Sequence, residues 1–398
     1  MRIAKKAVTV LALAAAGVIT AVAFRYVPLH DFVEYWTAAH VFMRHQDPYS
    51  VEALMKLQQA MGWSEAQPLM VMSPPHFLPF LLPLGFMHSY ALARLLWLCL
   101  SIAMLVFEVF ILWRLYGGDD DHRWISICVA GVFFPVWHCL AVAQIGPLLL
   151  LGIVGFLWLE RRGHLFMAGS ALALTTFKPH LFYLLWLALL LWSVKRREMR
   201  VIAGASVTIC IALTAALLVD PAALSQYMAL IRSDYVWEYS SGAGGVLRSL
   251  FARSLLARSL FASHSHLLQL APMLPGVLAL GWYWNKHSGQ WQWRDRLPAV
   301  LTLSVLTAAY GWPFDEVVLL VPVLMIAVQS LYAPRERSTF TFWLAGMFFA
   351  SLAVVLRYGD AGGMTVCAGG VLAYLVVDSV TARKNESSTP ACDSSLAL

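Results

Sequence analysis

Residues 91–114 read ALARLLWLCLSIAMLVFEVFILWR, an apolar run of 24 residues with only three charged side chains. A helix of that length extends about 36 Å, enough to cross the ~30 Å hydrocarbon core of a bilayer. Of the 398 residues in the chain, 60% are hydrophobic and 13% are charged, and the mean hydropathy is +0.69. Because soluble domains carry about 25% charged residues, the sequence predicts an all-α polytopic membrane protein.

Similar apolar runs lie on both sides of this one and predict about 12 transmembrane helices. The predicted spans are 7–24, 91–114, 124–140, 147–159, 164–177, 181–194, 201–219, 266–284, 297–310, 316–331, 340–356 and 363–380. The first run is longer than a signal-peptide core, so we interpret it as an uncleaved helix. The run 68–87 is almost as long, but its internal prolines would break the helical hydrogen-bond ladder. We expect it to be a re-entrant or surface element.

Lys and Arg side chains are concentrated in short loops, which indicates the cytoplasmic side of the membrane. These loops lie at 161–162, 195–197, 286–296, 335–337 and 383–384. They share one side only if 68–87 does not cross. We therefore predict an inner-membrane protein with both termini in the cytoplasm and interfacial helices on the outer face.

In this topology, residues 1–384 form a single transmembrane domain, and residues 385–398 form a disordered cytoplasmic tail. The loops 25–90 and 220–265 face the periplasm or exterior and form the active-site side. The net charge of +6 reflects the basic loops, so we expect no nucleic-acid partner. The six cysteines form no C-x-x-C pair, and the chain has no Walker loop or metal-binding motif. We therefore expect neither a metal nor a separate cofactor.

The first outer loop carries a cluster of reactive side chains within LHDFVEYWTAAHVFMRHQDPYS, residues 29–50. Asp31 has an N-cap-like position, and Glu34 and Tyr35 follow at helical spacing on the same face. Such a group could bind a hydroxylated substrate and accept a proton from it. The alternative interpretation is an ordinary N-capped helix at the membrane interface.

Further polar residues stand at predicted outer ends of spans, where ionisable groups at membrane depth are unfavourable without a function. They are Gln144, Lys178 with the nearby His180, and Asp315 beside Glu316. Lys178 would bind an anionic group or extend to the interface. The loop 220–265 adds a near-repeat of Arg-Ser-Leu that includes Arg248 and Arg253. These arginines would meet a donor phosphate or simply anionic membrane lipids.

Five motifs in order resemble glycosyltransferase family 87, within the GT-C class of polyprenyl-phosphate-sugar-dependent enzymes. They are Asp31-Phe32-x-x-Tyr35-x-x-Ala38-Ala39 with Asp47-Pro48-Tyr49, Pro74-Pro75 leading to Leu82-Pro83-Leu84, Gln144 ahead of a leucine run, Gly169 through Phe177-Lys178-Pro179, and Pro313-Phe314-Asp315 leading to Leu320-Val321-Pro322. Three positions depart from the family pattern. His45-Gln46 and Ala143 replace usual glycines, and Gly146 replaces an asparagine.

The resemblance implies a GT-C-like fold and transfer of a hexose, often mannose, from a lipid phosphate to an acceptor glycan or glycolipid. The transfer would invert the sugar carbon, need no metal and take place on the outer face. Asp31 would be the catalytic base, and Lys178, with Arg248 or Arg253, would stabilise the departing phosphate. Glu34, Tyr35, Gln144, His180 and Asp315 complete the predicted substrate-binding set. Two alternatives remain, namely a lipid-linked sugar flippase or transporter and a non-catalytic envelope-assembly subunit.

Overall fold

The computed structural model describes residues 31–233, 269–331, 334–358 and 366–376, and within these ranges all regular elements are helical. The α-helices are α1 Phe32–Met43, α2 Val51–Ala60, α3 Leu78–Gly85, α4 Tyr90–Leu115, α5 Trp124–Val132, α6 Phe134–Val142, α7 Gly146–Glu160, α8 Leu165–Leu172, α9 Tyr183–Arg196, α10 Arg200–Val219, α11 Ala223–Arg232, α12 Met273–His287, α13 Trp293–Leu306, α14 Leu320–Leu331, α15 Pro334–Tyr358 and α16 Val366–Val376. Short 3₁₀ helices are Pro75–Phe77, Ala173–Phe177, Pro179–Leu181, Ser288–Gln290 and Pro313–Leu319.

Four helices in the described ranges are long and apolar enough to cross a membrane. They are Tyr90–Leu115, Arg200–Val219, Pro313–Leu331 and Ser338–Arg357. A fifth span results if α5 and α6, which meet at a bend of 73°, are counted together. The predicted total of about 12 is therefore not confirmed. The expected span 7–24 and the tail 385–398 lie outside the described residues.

Several predicted spans form helices that are too short to cross alone. Gly146–Glu160 and Leu165–Phe177 have between 10 and 17 residues, whereas a straight crossing needs about 20. The break between α5 and α6 lies at Phe133, whose backbone is extended (φ −80°, ψ 107°). Pro135, in the first turn of α6, cannot donate a hydrogen bond back to α5. The apolar runs thus predicted the location of these helices but not their breaks.

The run 68–87 contains one α-helix of only eight residues, α3, after a 3₁₀ turn. Its length of about 12 Å is well short of a bilayer core. Gly85 ends α3 so close to α1 that an added Cβ would clash with the side chain of Met43. The expectation of a non-crossing element is therefore consistent with the observed helix, which packs against α1.

Burial separates central helices from peripheral ones. In Pro313–Leu331, 83% of the apolar window is buried, compared with 22% in Arg200–Val219 and in Ser338–Arg357. Large apolar side chains on the peripheral helices are exposed, including Leu218 at 80% and Leu356 at 78%. Exposed apolar surface of this kind is typical of contact with lipid. The central helix therefore carries Asp315 inside the protein, while the outer helices provide an apolar surface.

Helix α1 is attached to this bundle by one apolar face. Phe32, Ala38, Ala39 and Phe42 are completely buried, and the two alanines allow α3 to approach closely. Phe32 and Tyr35 both pack against the ring of Trp97 on α4, at centroid distances of 5.7 and 5.6 Å. The first turn of α1, with its acidic side chains, is thereby held against α4.

Candidate active site

One cavity of about 450 Å³ brings together most of the predicted site residues. Seven of the nine line it: Asp31, Glu34, Tyr35, Gln144, Lys178, His180 and Asp315. The other two, Arg248 and Arg253, lie outside the described residues. Side chains from four separate parts of the chain therefore meet in one cavity. The sequence analysis had predicted that all four parts lie on the same side of the membrane.

Asp31 occupies the N-cap position of α1, but its side chain does not cap the helix. Its backbone is already helical (φ −50°, ψ −22°), and its carboxylate forms no hydrogen bond to the amides of the first turn. Instead, Oδ2 accepts a hydrogen bond of 2.7 Å from Nε2 of Gln144. Asp31 therefore has the predicted N-cap position, but its side chain does not act as a cap. A residue 113 positions away in sequence orients the carboxylate.

Gln144 is the centre of a hydrogen-bond network. Its Oε1 accepts hydrogen bonds from the Tyr35 hydroxyl at 2.6 Å and from Lys178 Nζ at 3.1 Å. Because the Lys178 ammonium can only donate, the amide oxygen must face it and Tyr35, and the amide NH₂ must face Asp31. Tyr35 and Lys178 thus determine which group Gln144 presents to the carboxylate.

Two departures from the family pattern lie beside Gln144, and the structure favours glycine at both positions. Ala143 adopts a left-handed conformation (φ 59°, ψ 40°) where α6 ends, a conformation that glycine adopts without strain. Gly146 packs so closely that an added Cβ would lie 2.5 Å from Cγ1 of Val317 and 2.7 Å from Sγ of Cys139. An asparagine therefore does not fit at this position without movement of its neighbours. A third departure, His45, is also left-handed (φ 56°).

Lys178 and Asp315 form an ion pair at the base of the cavity. Nζ of Lys178 lies 2.6 Å from Oδ1 of Asp315, and the two side chains are only 15% and 2% exposed. The second oxygen of Asp315 accepts a hydrogen bond of 3.0 Å from the Trp312 amide. Each oxygen of Asp315 therefore has one protein partner, and Asp315 holds Lys178 at the cavity. Asp315 also lines the cavity itself, and its predicted role in substrate binding stays a prediction.

Burial raises the pKa of two side chains on α1, Glu34 and Tyr35. Burial, and then the charge of Asp31, raise the pKa of Glu34 well above its ordinary 4.5, and the charge of Lys178 opposes this. Burial and the neighbouring Glu34 and Asp31 also raise the pKa of Tyr35. Tyr35 consequently remains a hydroxyl donor to Gln144. Glu34 therefore favours its neutral form.

Aromatic rings form another part of the wall. His180 stacks on Tyr310 with a centroid distance of 3.7 Å, and Trp312 lies parallel to Phe314 within 13°. Lys178 Nζ is 4.9 Å from the centroid of Phe314. Burial, and then the charge of Lys178, lower the pKa of His180 well below its ordinary value. His180 therefore lines the cavity as a neutral ring and adds no positive charge.

The sequence analysis did not include the segment 63–73, which lines the cavity with Trp63, Glu65 and Gln67 among other residues. It also missed Tyr310 and Trp312. The only available signal was a tryptophan among polar residues in a loop next to the active-site motif. In the described residues no group of three or more His, Cys, Asp or Glu side chains is arranged to hold a metal ion.

A helical membrane protein with an acidic, hydrogen-bonded cavity at its helix ends is the class that this fold and site define. The sequence profile of glycosyltransferase family 87 matches residues 72–356, more than two thirds of the chain. The chain belongs to glycosyltransferase family 87, which supports glycosyl transfer as its activity. No curated protein and no solved structure matches it. The matched region contains Gln144 and Lys178 but begins after Asp31, which joins them through its hydrogen bond to Gln144.

Proposed function

We propose that this glycosyltransferase transfers a hexose, with mannose favoured, from a polyprenyl-phosphate donor to a hydroxyl of an acceptor glycan or glycolipid. The transfer inverts the sugar carbon and takes place on the outer face of the cytoplasmic membrane. The observation that carries the proposal is the oriented carboxylate of Asp31. It lies in the same cavity as a lysine, and Gln144 contacts both side chains.

Asp31 is the general base in this proposal. Its carboxylate accepts the proton of the acceptor hydroxyl while the acceptor oxygen forms a bond to the anomeric carbon of the donor. The bond from that carbon to the phosphate oxygen breaks, and the polyprenyl phosphate leaves with the electron pair. A phosphate is a stable leaving group, so a single base is sufficient and no general acid is required.

Lys178 assists the departing phosphate. Its ammonium group has three N–H donors, and the described contacts use two of them, to Gln144 and Asp315. The third is left for a phosphate oxygen, which would accept a short charge-assisted bond. Because Asp315 already balances the lysine charge, we expect additional cations at the phosphate, and Arg248 and Arg253 are our candidates.

The lining of the cavity is compatible with a lipid-linked donor. Leu69, Met70 and Met72 line it beside the polar groups, so an isoprenoid phosphate would find apolar as well as charged contacts. No metal and no separate cofactor takes part in the proposed reaction. The membrane lipids surround the apolar outer helices.

A donor panel tests the proposed function. Purified protein is incubated with polyprenyl-phosphate mannose, glucose, galactose and arabinose, each with a membrane-lipid extract as the acceptor source. Release of polyprenyl phosphate is then measured. We expect consumption of the mannose donor with a lipid- or glycan-linked product. A protein that consumes none of the hexose donors would contradict the proposal.

The orientation is tested separately by labelling from outside the cell. Glu65 is exposed at the cavity, so Glu65→Cys in a cysteine-free background is expected to react with a membrane-impermeant maleimide in intact cells. Labelling only after cell lysis would place the cavity on the cytoplasmic side. A cysteine in the loop 195–197 is the matched control with the opposite expected result.

A further inference from the structure

The segment 63–73, which we call the strap, lines the cavity and is held by several hydrogen bonds. The buried side chain of Gln58 clamps the backbone of Leu69 by two hydrogen bonds. Its Oε1 accepts a bond of 2.9 Å from the Leu69 amide, and its Nε2 donates a bond of 2.7 Å to the Leu69 carbonyl. The hydroxyl of Tyr49 donates a bond of 3.0 Å to the Ser73 carbonyl. The amide of Trp63 also donates a hydrogen bond of 3.0 Å to the Gln58 carbonyl. The backbone of the strap is thus fixed near its start, at Leu69 and at Ser73, which lowers the cost of ordering it when a ligand binds.

Trp63 is the main aromatic group on the strap. Its indole N–H donates a hydrogen bond of 2.8 Å to the Gln67 carbonyl, which fixes the ring. The ring is only half-buried and lines the cavity. A fixed, partly exposed indole next to exposed Glu65 and Gln67 combines an apolar face with hydrogen-bonding groups.

The charge of the strap indicates what it binds. Residues 61–73 read MGWSEAQPLMVMS and include no Lys or Arg. Among the described residues that line the cavity, the cation is Lys178, which is not part of the strap and pairs with Asp315. A phosphate would therefore be poorly stabilised near Glu65. A neutral pyranose suits the strap, because its C–H face can lie on an aromatic ring while its hydroxyls bond to carboxylate and amide groups.

We propose that Trp63, Glu65 and Gln67 form a subsite for a neutral pyranose residue of the acceptor, separate from the donor phosphate at Lys178. This inference rests on the proposed function and assigns its saccharide acceptor to a particular part of the cavity. Trp63 supplies the stacking surface, and Glu65 and Gln67 bind ring hydroxyls. The reacting hydroxyl then extends from this sugar toward Asp31.

Saturation-transfer NMR tests the subsite without any turnover. Methyl α-mannopyranoside, methyl α-glucopyranoside and methyl β-galactopyranoside are each added at millimolar concentration to the purified protein. We expect at least one to bind, and Trp63→Leu to weaken its binding about tenfold, as loss of a good aromatic contact would. Trp63→Phe, which keeps an aromatic face, is expected to retain most of the binding.

The matched control is Trp158→Leu. Trp158 is 38% exposed and lies 12 residues after Gly146, about 18 Å along α7 from the cavity. Its replacement is expected to leave glycoside binding unchanged. Thermal unfolding of each variant is measured alongside, so that only folded protein is compared.

Several results would overturn the subsite: binding of none of the glycosides, unchanged binding in Trp63→Leu, or equal loss in Trp63→Leu and Trp63→Phe. Farnesyl phosphate should leave the bound glycoside in place, and displacement would assign the sugar to the donor position instead. Failure of the subsite is thus distinguishable from failure of the proposed transfer, which the donor panel measures.

Discussion

Neutralising one member of the buried ion pair is expected to destabilise the protein strongly. Asp315→Asn preserves the shape of the side chain but leaves the ammonium group of Lys178 without its counter-charge. Lys178 and Asp315 are only 15% and 2% exposed and lie 2.6 Å apart. Breaking a pair this deeply buried usually lowers the free energy of unfolding by about 3–5 kcal/mol. The same reasoning applies to Lys178→Met, so loss of activity in such variants has to be separated from loss of folding.

Equilibrium unfolding in mixed micelles, followed by tryptophan fluorescence, measures this effect. The double variant Lys178→Met/Asp315→Asn removes both charges and is expected to be more stable than either single variant, and the three variants together yield the coupling energy of the pair. The control is Glu198→Gln, in an ion pair with Arg200 of the same 2.6 Å length but with 21% and 66% exposure. That exposed pair should contribute little. Asp315→Asn within about 1 kcal/mol of the wild type would refute the reasoning.

Three further predictions concern neighbouring groups. Ala143→Gly should stabilise the protein by about 1 kcal/mol, because glycine adopts the left-handed backbone of this position without strain. The control Ala203→Gly, within α10, should destabilise the protein by a similar amount. The two variants should therefore shift the thermal midpoint in opposite directions, and equal shifts would contradict this prediction. Burial raises the pKa of Glu34, so the free energy of unfolding of the wild type should fall as the pH rises above about 4.5. Glu34→Gln should flatten that fall. Parallel curves of stability against pH for the two proteins would argue against this prediction. At limiting donor, folded Lys178→Arg should turn over faster than Lys178→Ala, because either cation can serve a phosphate; equal rates would exclude a role for the charge.

The sequence could predict that these distant residues lie together. The distribution of charged loops assigned Asp31, Gln144, Lys178 and Asp315 to one side of the membrane, and all four line one cavity. It could not predict their roles. Local sequence favours Asp31 as a helix cap, yet a tertiary hydrogen bond from Gln144 replaces that role. Asp315, which was expected to bind substrate, also forms an ion pair with Lys178, 137 positions away. Such roles depend on contacts between residues more than 100 positions apart.

The helix lengths and the strap were harder to predict for a different reason. Apolar composition predicts helices but does not specify where they bend, and the extended backbone at Phe133 divides one apolar run into two helices. The strap has no hydrophobic period. Its position depends on Gln58, whose side chain binds Leu69 eleven residues later. From the sequence alone, Trp63 therefore resembles an ordinary loop residue.

The most direct test of the central claim is the turnover rate of Asp31→Asn with a polyprenyl-phosphate hexose donor. Asparagine can still accept the hydrogen bond from Gln144, and the wild-type side chain does not cap α1, so folding and donor binding should be retained. Asparagine cannot accept the proton, and we predict a loss of about 10²–10⁴-fold in rate. Glu34→Gln is the paired control and should be affected less. Near-normal turnover by Asp31→Asn, with loss of activity in Glu34→Gln, would contradict the account.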